Sequence, residues 1–383
     1  MTLHAALVAP VQSRTGSRIT QAFRDCAALR ELDGEARSSA EALARCVSPY
    51  GDDGAIAALR QLDAGAWEEL VGYALAHPVR LGSAAYVALR TNGLIECVPR
   101  DACARLAGAY ESARQASAAG QRDLREILDA FEQAAVPVAV LKGPYLAAHA
   151  YPDPAMRTMS DFDLLVAPEA LVDAERILLE IGYGPEAPWR QNIKAMCTTS
   201  EALAPFHKEG ATQVDLHWNI ADPRSPFSID VALLWQRVIP TRLGGRRALT
   251  LSPEDFLLHL VVHAGYAHGF EAPLRCYADI AALVSRHAGR FEWSAFVSRA
   301  HEWHAARFAY AVLSLTVAVF GLPLPGDVLS SLSSRNIDVA IVAPLVDHCV
   351  RASPPGSRAW LSTRRVIEAW LRDVAGAWPR PGW

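Results

Sequence analysis

The sequence has few of the features that mark exported, membrane-spanning or nucleic-acid-binding proteins. Lys and Arg together number 37 against 41 Asp and Glu, so the chain lacks the positive charge of proteins that bind DNA or RNA. Its longest apolar run, residues 308–322, is shorter than the roughly 20 residues that span a bilayer and favours a buried helix. Because no basic stretch precedes an apolar one at the N-terminus, we expect no export signal and a cytoplasmic protein.

Cysteine pairs and several catalytic loops are also missing. The seven cysteines are odd in number and scattered, and no two form a Cys-x-x-Cys motif. We therefore expect reduced thiols, without a disulfide framework or a cysteine zinc site. The sequence has no Gly-x-Ser-x-Gly, no Gly-x-x-x-x-Gly-Lys-Ser/Thr and no Gly-x-Gly-x-x-Gly. These absences exclude an α/β-hydrolase nucleophile, a P-loop and a simple dinucleotide-binding fold.

Length and composition predict a folded protein with more than one unit. At 383 residues, with 51% hydrophobic and 20% charged residues, the chain exceeds one ordinary domain and has enough apolar residues for a core. Helical periodicity fills residues 1–120, strands and helices alternate over 121–250, and helical periodicity returns over 251–340. The tail, 341–383, is rich in Arg and Trp, and its spacing predicts an amphipathic helix.

The middle segment is typical of a core that mixes strands and helices. Residues 136–141, 160–166 and 212–218 are short β-branched or alternating runs that predict strands. A helical pattern over 168–181 follows the second run and ends before Gly182, a residue that favours a helix C-terminus. We therefore predict an α+β fold, in which a small mixed sheet lies between N- and C-terminal helical regions.

Two aspartates on the second predicted strand indicate a metal ion. Asp161 and Asp163 are two residues apart, so on a strand their side chains share a face, with Cα atoms about 6–7 Å apart, while Phe162 faces the core. Two carboxylates on one face repel each other unless a cation lies between them. A hard divalent ion with oxygen ligands suits this position.

Asp215 and His217 repeat this spacing on the third predicted strand. If the two strands are neighbours, Asp161, Asp163 and Asp215 converge, as the carboxylates of a two-metal site for phosphoryl transfer do. The alternative is a solvated strand face that binds no ligand. The repetition on two strands favours the metal site.

A basic turn follows the first predicted strand. Lys142 and Gly143 end this strand, where a glycine lets a phosphate approach the backbone amides and a lysine supplies a point charge. Arg157, four residues before Asp161, is placed to bind the same anion with its guanidinium. We expect a phosphate group at this turn.

These motifs resemble those of a bacterial family described as uncharacterised nucleotidyltransferases, within the polymerase-β-like nucleotidyltransferase superfamily. The resemblance rests on Leu-Lys-Gly at 141–143, R-x-x-S-D-F-D-L-L-V at 157–166 and V-D-L-H-W at 214–218. It extends, with less specific helical motifs, over about residues 60–325. The fold that it implies is the α+β core of that superfamily with helical regions on either side.

The resemblance also implies an activity and a role for each candidate residue. The activity is transfer of a nucleoside monophosphate from a nucleoside triphosphate (NTP), with Mg²⁺ or Mn²⁺ as the cofactor. The catalytic, metal-binding carboxylates would be Asp161, Asp163 and Asp215. The residues placed near the nucleotide would be Lys142, Gly143, Arg157 and His217. The first two of these stand where the superfamily has a Gly-Gly or Gly-Ser pair.

The acceptor and other functions stay open at this point. Some similar genes lie beside genes for ribosomal peptide natural products such as lasso peptides, which implies a peptide or protein hydroxyl or phosphate as the acceptor. One alternative is a peptide-tailoring transferase that moves a sugar or another group from an activated nucleotide. Another is a non-catalytic binding module with a vestigial acidic cluster, which would use the Arg- and Trp-rich tail to bind a partner. No nucleic acid partner and no membrane span are expected.

A histidine pair offers a further, weaker metal hypothesis. His259 and His263 are four residues apart on an apolar segment, a spacing that suits zinc ligands on one helix face. The glutamate of a His-Glu-x-x-His motif is absent. Histidines that form hydrogen bonds within a buried helix are the alternative.

Overall fold

The structure of the chain, a computed structural model, describes residues 34–77, 79–185, 197–333, 335–351 and 358–375. Its α-helices in these ranges are α1 (Gly34–Val47), α2 (Asp53–Arg60), α3 (Ala64–Leu75), α4 (Gly82–Thr91), α5 (Arg100–Gln133), α6 (Lys142–His149), α7 (Leu171–Glu180), α8 (Val231–Gln236), α9 (Pro253–Val262), α10 (Leu274–Arg286), α11 (Trp293–Glu302), α12 (Ala306–Phe320), α13 (Val328–Leu332), α14 (Asn336–Arg351) and α15 (Arg358–Ala375). Its strands are β1 (Ala139–Val140), β2 (Asp161–Leu165), β3 (Gly184–Pro185), β4 (Phe206–His207), β5 (Gln213–His217), β6 (Ile239–Leu243) and β7 (Arg246–Thr250).

These elements belong to two compact units. The helical unit comprises the described residues of Met1–Cys103, Val261–Ala281 and Ala305–Trp383, and the sheet unit those of Ala104–Leu260 and Ala282–His304. Helix α5 is continuous through residue 120, so the boundary predicted there falls inside a single helix. The four-part division of the sequence stays a prediction about domains.

The helical unit contains the longest apolar run of the sequence. Residues 308–322 form most of α12, and most side chains of this helix are buried. The prediction of a buried helix is therefore confirmed. Across the described ranges, none of the helices is long and apolar enough to cross a membrane.

The tail helix packs into the helical unit. The apolar side chains that α15 buries are Val366, Ile367, Trp370 and Leu371. They confirm the predicted amphipathic helix over its described part, while Trp378 and the side chain of Trp360 lie outside the described residues. The indole Nε1 of Trp370 donates a hydrogen bond to the buried carboxylate of Asp338 at 2.8 Å.

The sheet unit is built on a mixed sheet. Within the described residues its seven strands lie in the order β3-β4-β5-β2-β1-β7-β6. β2 is parallel to β5 and β1 is parallel to β7, while the other neighbours are antiparallel. Strands β1, β2 and β5 lie inside the three predicted strands, which confirms these predictions and the α+β class. The β6–β7 hairpin was not predicted; Gly244 and Gly245 form its turn with positive φ angles, which suit a two-residue hairpin loop.

The two faces of this sheet differ in chemistry. The core residues that β2 and β5 contribute to one face are Phe162, Leu164, Val214 and Leu216. They pack against apolar side chains of α5 and α7 such as Phe131 and Ile177. Because side chains alternate along a strand, Asp163, Asp215 and His217 lie on the opposite face, as the sequence predicts.

Two smaller predictions also agree with the structure. The helix after β2, α7, ends at Glu180, shortly before Gly182. None of the six cysteines in the described ranges forms a disulfide, and Cys26 lies outside these ranges. The expected reduced thiols are thus consistent with the geometry of the described part.

Candidate active site

Strands β2 and β5 carry the candidate site. They lie side by side and parallel, with Asp163 opposite Asp215 and Asp161 opposite Gln213. The neighbouring arrangement that the sequence analysis required is therefore present. The register brings the second aspartate of β2 and the single aspartate of β5 to the same level of the sheet.

Three side chains meet at this level. Asp163, Asp215 and His217 each offer a potential ligand atom, and these atoms lie within 4.8 Å of one another. In the part of the chain that the structure describes, this is the one cluster of three or more such groups. Asp161 lies outside it, two residues earlier on β2, where its carboxylate accepts a hydrogen bond from the Ser160 hydroxyl at 3.2 Å. The third member of the cluster is thus a histidine, where the sequence analysis expected an aspartate.

Asp163 is the most deeply buried member, with 4% of its surface exposed. Its Oδ1 lies 2.6 Å from the Lys142 Nζ, and the same oxygen accepts a hydrogen bond from His217 Nε2 at 3.0 Å. Burial disfavours the charged carboxylate, but the Lys142 ammonium and the His217 hydrogen bond outweigh it and hold the pKa of Asp163 well below its ordinary value. Asp163 is therefore ionised and paired with a lysine.

Asp215 is in the opposite electrostatic situation. Burial, together with the charges of Asp163 and Asp161, raises the pKa of Asp215, and a hydrogen bond from Gln213 Nε2 to its Oδ1 at 2.8 Å only partly offsets them. Among the described residues no Lys or Arg forms an ion pair with it. The cluster thus contains one neutralised carboxylate and one that is repelled by its neighbours.

The basic turn after β1 lies directly beside the cluster. The N–H of Leu141 donates a hydrogen bond to the carbonyl of Asp163 at 2.9 Å, and Lys142 begins α6 at this point. The Arg157 guanidinium, whose residue is 7% exposed, packs over Gly143, because a Cβ built on that glycine would lie 2.7 Å from Arg157 Nη1. The space beside Gly143, which the sequence analysis gave to a phosphate, is occupied by Arg157.

This close approach predicts that Gly143→Ala destabilises the protein. The added methyl group would also lie 3.3 Å from the Met159 Cβ, so we expect a loss of about 1–3 kcal/mol in the free energy of unfolding. The matched control is Gly108→Ala in α5, whose Cβ would meet nothing within 4 Å and which should gain roughly 0.5–1 kcal/mol. Urea unfolding of both variants checks the prediction, and equal stability of the two would contradict it.

One residue beside the cluster is absent from the predicted site. His259 of α9 is 3% exposed, and burial, followed by the charge of Lys142, lowers its pKa to about 3. The charges of Asp163 and His217 act on it as well. A sequence signal exists, since His259 lies on an apolar helical run, but that run suggests only a zinc ligand paired with His263 or a histidine that forms hydrogen bonds within a buried helix. Within the described residues neither histidine belongs to a metal-binding cluster.

The donor set of the cluster fits a hard divalent cation. Asp163 and Asp215 supply the carboxylate oxygens that Mg²⁺ and Mn²⁺ prefer, and His217 adds an imidazole nitrogen beside them. His217 Nε2 is hydrogen-bonded to Oδ1 of Asp163, so Nδ1 is the ring nitrogen left for another ligand. This Nδ1 is buried and has no hydrogen-bond partner among the described residues. Such an atom is costly to bury unless something binds it.

Comparison with known proteins relates the chain to one family. A family model described as "Uncharacterised nucleotidyltransferase" matches residues 63–321, more than half of the chain. The search of curated proteins found no match to the chain. The lincomycin-bound lincosamide antibiotic adenylyltransferase LnuA is 20% identical, with a TM-score of 0.30 over 43% of this chain and 96% of that chain. The solution structure of the antibiotic-resistance factor ANT(2'')-Ia is 14% identical, with a TM-score of 0.31 over 47% of this chain and 92% of that chain. The family match includes every site residue described above.

Proposed function

Since the chain belongs to the uncharacterised nucleotidyltransferase family, we propose that it transfers a nucleoside monophosphate from an NTP to an acceptor hydroxyl or phosphate, with Mg²⁺ or Mn²⁺ as cofactor. The observation that carries this proposal is the convergence of Asp163, Asp215 and His217 within 4.8 Å. Carboxylates gathered on one sheet face, inside the segment that matches the family, are what metal-dependent phosphoryl transfer needs.

Each carboxylate has a distinct part in the proposal. Asp163 and Asp215 would hold the metal together with His217, and Asp161 adds a carboxylate at the start of the same strand face. A bound divalent cation would offset the negative charge of the triphosphate and favour ionisation of the acceptor hydroxyl. Asp215 is also the proposed base that accepts the acceptor's proton, since a carboxylate beside the reacting oxygen can serve as a general base.

The reaction exchanges one phosphorus–oxygen bond for another. The acceptor oxygen forms a bond to the α-phosphorus, and the bond from the α-phosphorus to the oxygen that bridges to the β-phosphorus breaks. Pyrophosphate leaves with the electron pair of that bond, and the acceptor's proton passes to Asp215. Lys142 and Arg157 carry the positive charge near the basic turn that would stabilise the leaving pyrophosphate. Gly143 contributes by letting the Arg157 guanidinium lie against the start of α6.

For the acceptor we propose a hydroxyl or phosphate of a peptide or protein, in the context of natural-product biosynthesis. The support is the resemblance to genes that lie beside those of ribosomal peptides. A protein of this kind would act on a diffusible nucleotide and an acceptor in the cytoplasm. The sheet unit contains all residues assigned to the nucleotide and the metal.

The proposal is tested first by binding and then by transfer. Calorimetric titration with the α,β-methylene analogues of the four NTPs, each with Mg²⁺, Mn²⁺ or EDTA, should give binding that the chelator weakens at least about tenfold. Incubation with α-³²P-labelled NTPs and a peptide extract, followed by mass determination of the labelled product, should then show addition of one nucleoside monophosphate. A product that carries a sugar from a nucleotide sugar would assign the peptide-tailoring alternative. If the affinity for the NTP analogues is the same with metal and with EDTA, and no labelled product forms, the proposal is overturned.

A further inference from the structure

Lys142 occupies an unusual position for a lysine. Its side chain is 13% exposed, and its ammonium lies 2.6 Å from Oδ1 of Asp163, whose side chain is 5% exposed. Its φ angle is 40°, in the left-handed region that residues with a Cβ rarely adopt. A buried pair held on a strained backbone next to a candidate site is a feature that the surrounding fold must maintain.

The carboxylate that Lys142 binds is the one on which the candidate metal cluster depends. Asp163 Oδ1 already accepts the His217 hydrogen bond, so the Lys142 ammonium and His217 together satisfy this oxygen. A divalent cation bound through Oδ1 of Asp163 would need lone pairs that the ammonium now engages. A cation held by the same carboxylate would also be repelled by the Lys142 ammonium, because the Coulomb energy between buried charges is large. The ammonium and a divalent cation therefore compete for Asp163.

The triphosphate would offer the ammonium a second partner. A lysine has a compact charge on a flexible four-carbon stem, which lets it exchange one anion for another without movement of the backbone. Lysine is also rare in this chain, since only Lys142, Lys194 and Lys208 are lysines among the 37 basic residues. Arginine, the usual basic residue here, would form a bidentate and less exchangeable pair with a carboxylate.

We propose that Lys142 is a resident counter-ion that keeps the cluster from binding a divalent cation alone and releases Asp163 when phosphates of the nucleotide engage its ammonium. This inference rests on the proposed function, because it concerns the same cluster. Metal and nucleotide then bind cooperatively, and Lys142 is the residue that couples them. Coupling of this kind is reciprocal, so the cation must raise phosphate affinity by the same factor by which phosphate raises cation affinity.

Removing the ammonium should strengthen Mn²⁺ binding in the absence of phosphate, and it should reduce the gain in Mn²⁺ affinity that phosphate provides. Without phosphate, Lys142→Met should bind Mn²⁺ about tenfold or more tightly than the wild type, since Asp163 no longer has a competing cation. With inorganic tripolyphosphate present, the wild type should gain at least about tenfold in Mn²⁺ affinity, and the variant should gain much less. A merely structural lysine would not produce this opposite pair of changes.

Electron paramagnetic resonance titration of the full chain with MnCl₂, with and without tripolyphosphate, measures both quantities once a protein-free titration has accounted for the Mn²⁺ that tripolyphosphate itself binds. Lys208→Met is the matched control, because Lys208 pairs with Glu126 at 2.7 Å in the same unit and has no part in the proposed site. This control should bind Mn²⁺ as the wild type does. Lys142→Met that binds Mn²⁺ no more tightly than the wild type would overturn the inference alone. A wild type that binds no Mn²⁺ with or without tripolyphosphate would overturn the proposed function as well.

A measurement on the wild type covers the case in which Lys142→Met fails to fold. In an NMR spectrum, protein labelled with ¹³C at the lysine ε-carbon has three lysine signals, one for each lysine of the chain. The signal that is missing from the spectrum of Lys142→Arg belongs to Lys142. Mg²⁺ alone should leave the Lys142 signal in place, whereas Mg²⁺ with tripolyphosphate should shift it. A signal that tripolyphosphate and Mg²⁺ leave unchanged would contradict the exchange of partners.

Discussion

Replacing Asp215 with asparagine should strongly slow nucleotide transfer while the free energy of unfolding stays unchanged or rises. The rate should fall roughly 100- to 1,000-fold, because a bound divalent cation contributes several kcal/mol to the stability of the transition state. Stability should not suffer, since the charge of Asp215 is disfavoured by burial and by the charges of Asp163 and Asp161. The variant removes that unfavourable charge and keeps a side chain that Gln213 can still contact.

The matched variant is Asp163→Asn, which should lose transfer and stability together. Its carboxylate is the partner of the largely buried Lys142 ammonium, and removal of one member of a buried ion pair costs about 3–5 kcal/mol. Label transfer from α-³²P-labelled nucleotide and urea unfolding separate the two variants. Normal turnover of Asp215→Asn, or its unfolding under conditions in which the wild type is folded, would contradict the assigned role of this carboxylate.

Trp370→Ala should cost about 3–5 kcal/mol in the free energy of unfolding, the range for removal of a large aromatic side chain from a core. Trp370 is 1% exposed, and its ring lies edge-on to Phe270 and Phe308, with centroids 5.7 Å and 5.5 Å away. Its Nε1 hydrogen bond reaches Asp338, a fully buried carboxylate that Arg307 also binds through two nitrogens. The truncation therefore removes apolar contacts and one of the donors to a buried charge.

Two further variants divide this loss into its parts. Trp370→Phe keeps most of the apolar contact and loses only the N–H donor, so it should cost about 1.5–3 kcal/mol, the range for a hydrogen bond to a charged group. Arg365→Ala changes an exposed residue on the same helix and should stay within about 0.5 kcal/mol of the wild type. Thermal and urea unfolding provide the values. A Trp370→Ala variant as stable as Arg365→Ala would contradict the packing of α15 on the helical unit.

Local patterns in the sequence are sufficient to predict the central strands and the shared face of their carboxylates. Alternation fixes which side chains of β2 and β5 face the core, so Phe162 and Val214 could be assigned to the core and Asp163, Asp215 and His217 to the other face. The convergence of the three depended on one further condition, that these strands are neighbours. The parallel pairing of β2 with β5 satisfies that condition.

The partners across the sheet could not be predicted in this way. Lys142 meets Asp163 because β1 is antiparallel to β2 and ends beside it, and nothing in the local pattern states that pairing. The sequence therefore predicts mutual repulsion of the carboxylates, whereas the fold neutralises Asp163 and leaves the repulsion on Asp215. In the same way, the glycine at position 143 predicts that a phosphate can approach the backbone amides of the turn. The group that lies against Gly143 in the structure is the guanidinium of Arg157, fourteen residues later in the sequence.

The β6–β7 hairpin was missed because its residues do not alternate as those of a buried strand do. Arg246 and Arg247 stand side by side in β7 and are both exposed, which obscures the period of two. The Gly244-Gly245 turn is the signal that could have identified it. Its strands complete the sheet beyond β1, so this omission also concealed one of the two neighbours that hold β1 in place.

Both strands that flank β1 in the sheet come later in the sequence, so β1 is synthesised before either of its partners. β1 is two residues long and lies between β2 and β7, with Ala139 paired to Leu249 on the β7 side. The Thr250 hydroxyl also donates a hydrogen bond to the carbonyl of Val140, across 110 residues of sequence, at 2.9 Å. At about 5–20 residues per second, the ribosome synthesises Thr250 roughly 5–20 s after it has synthesised β1. A nascent chain that already contains the aspartates, the histidine and Lys142 therefore still lacks the strand that pairs with β1 on one of its two sides.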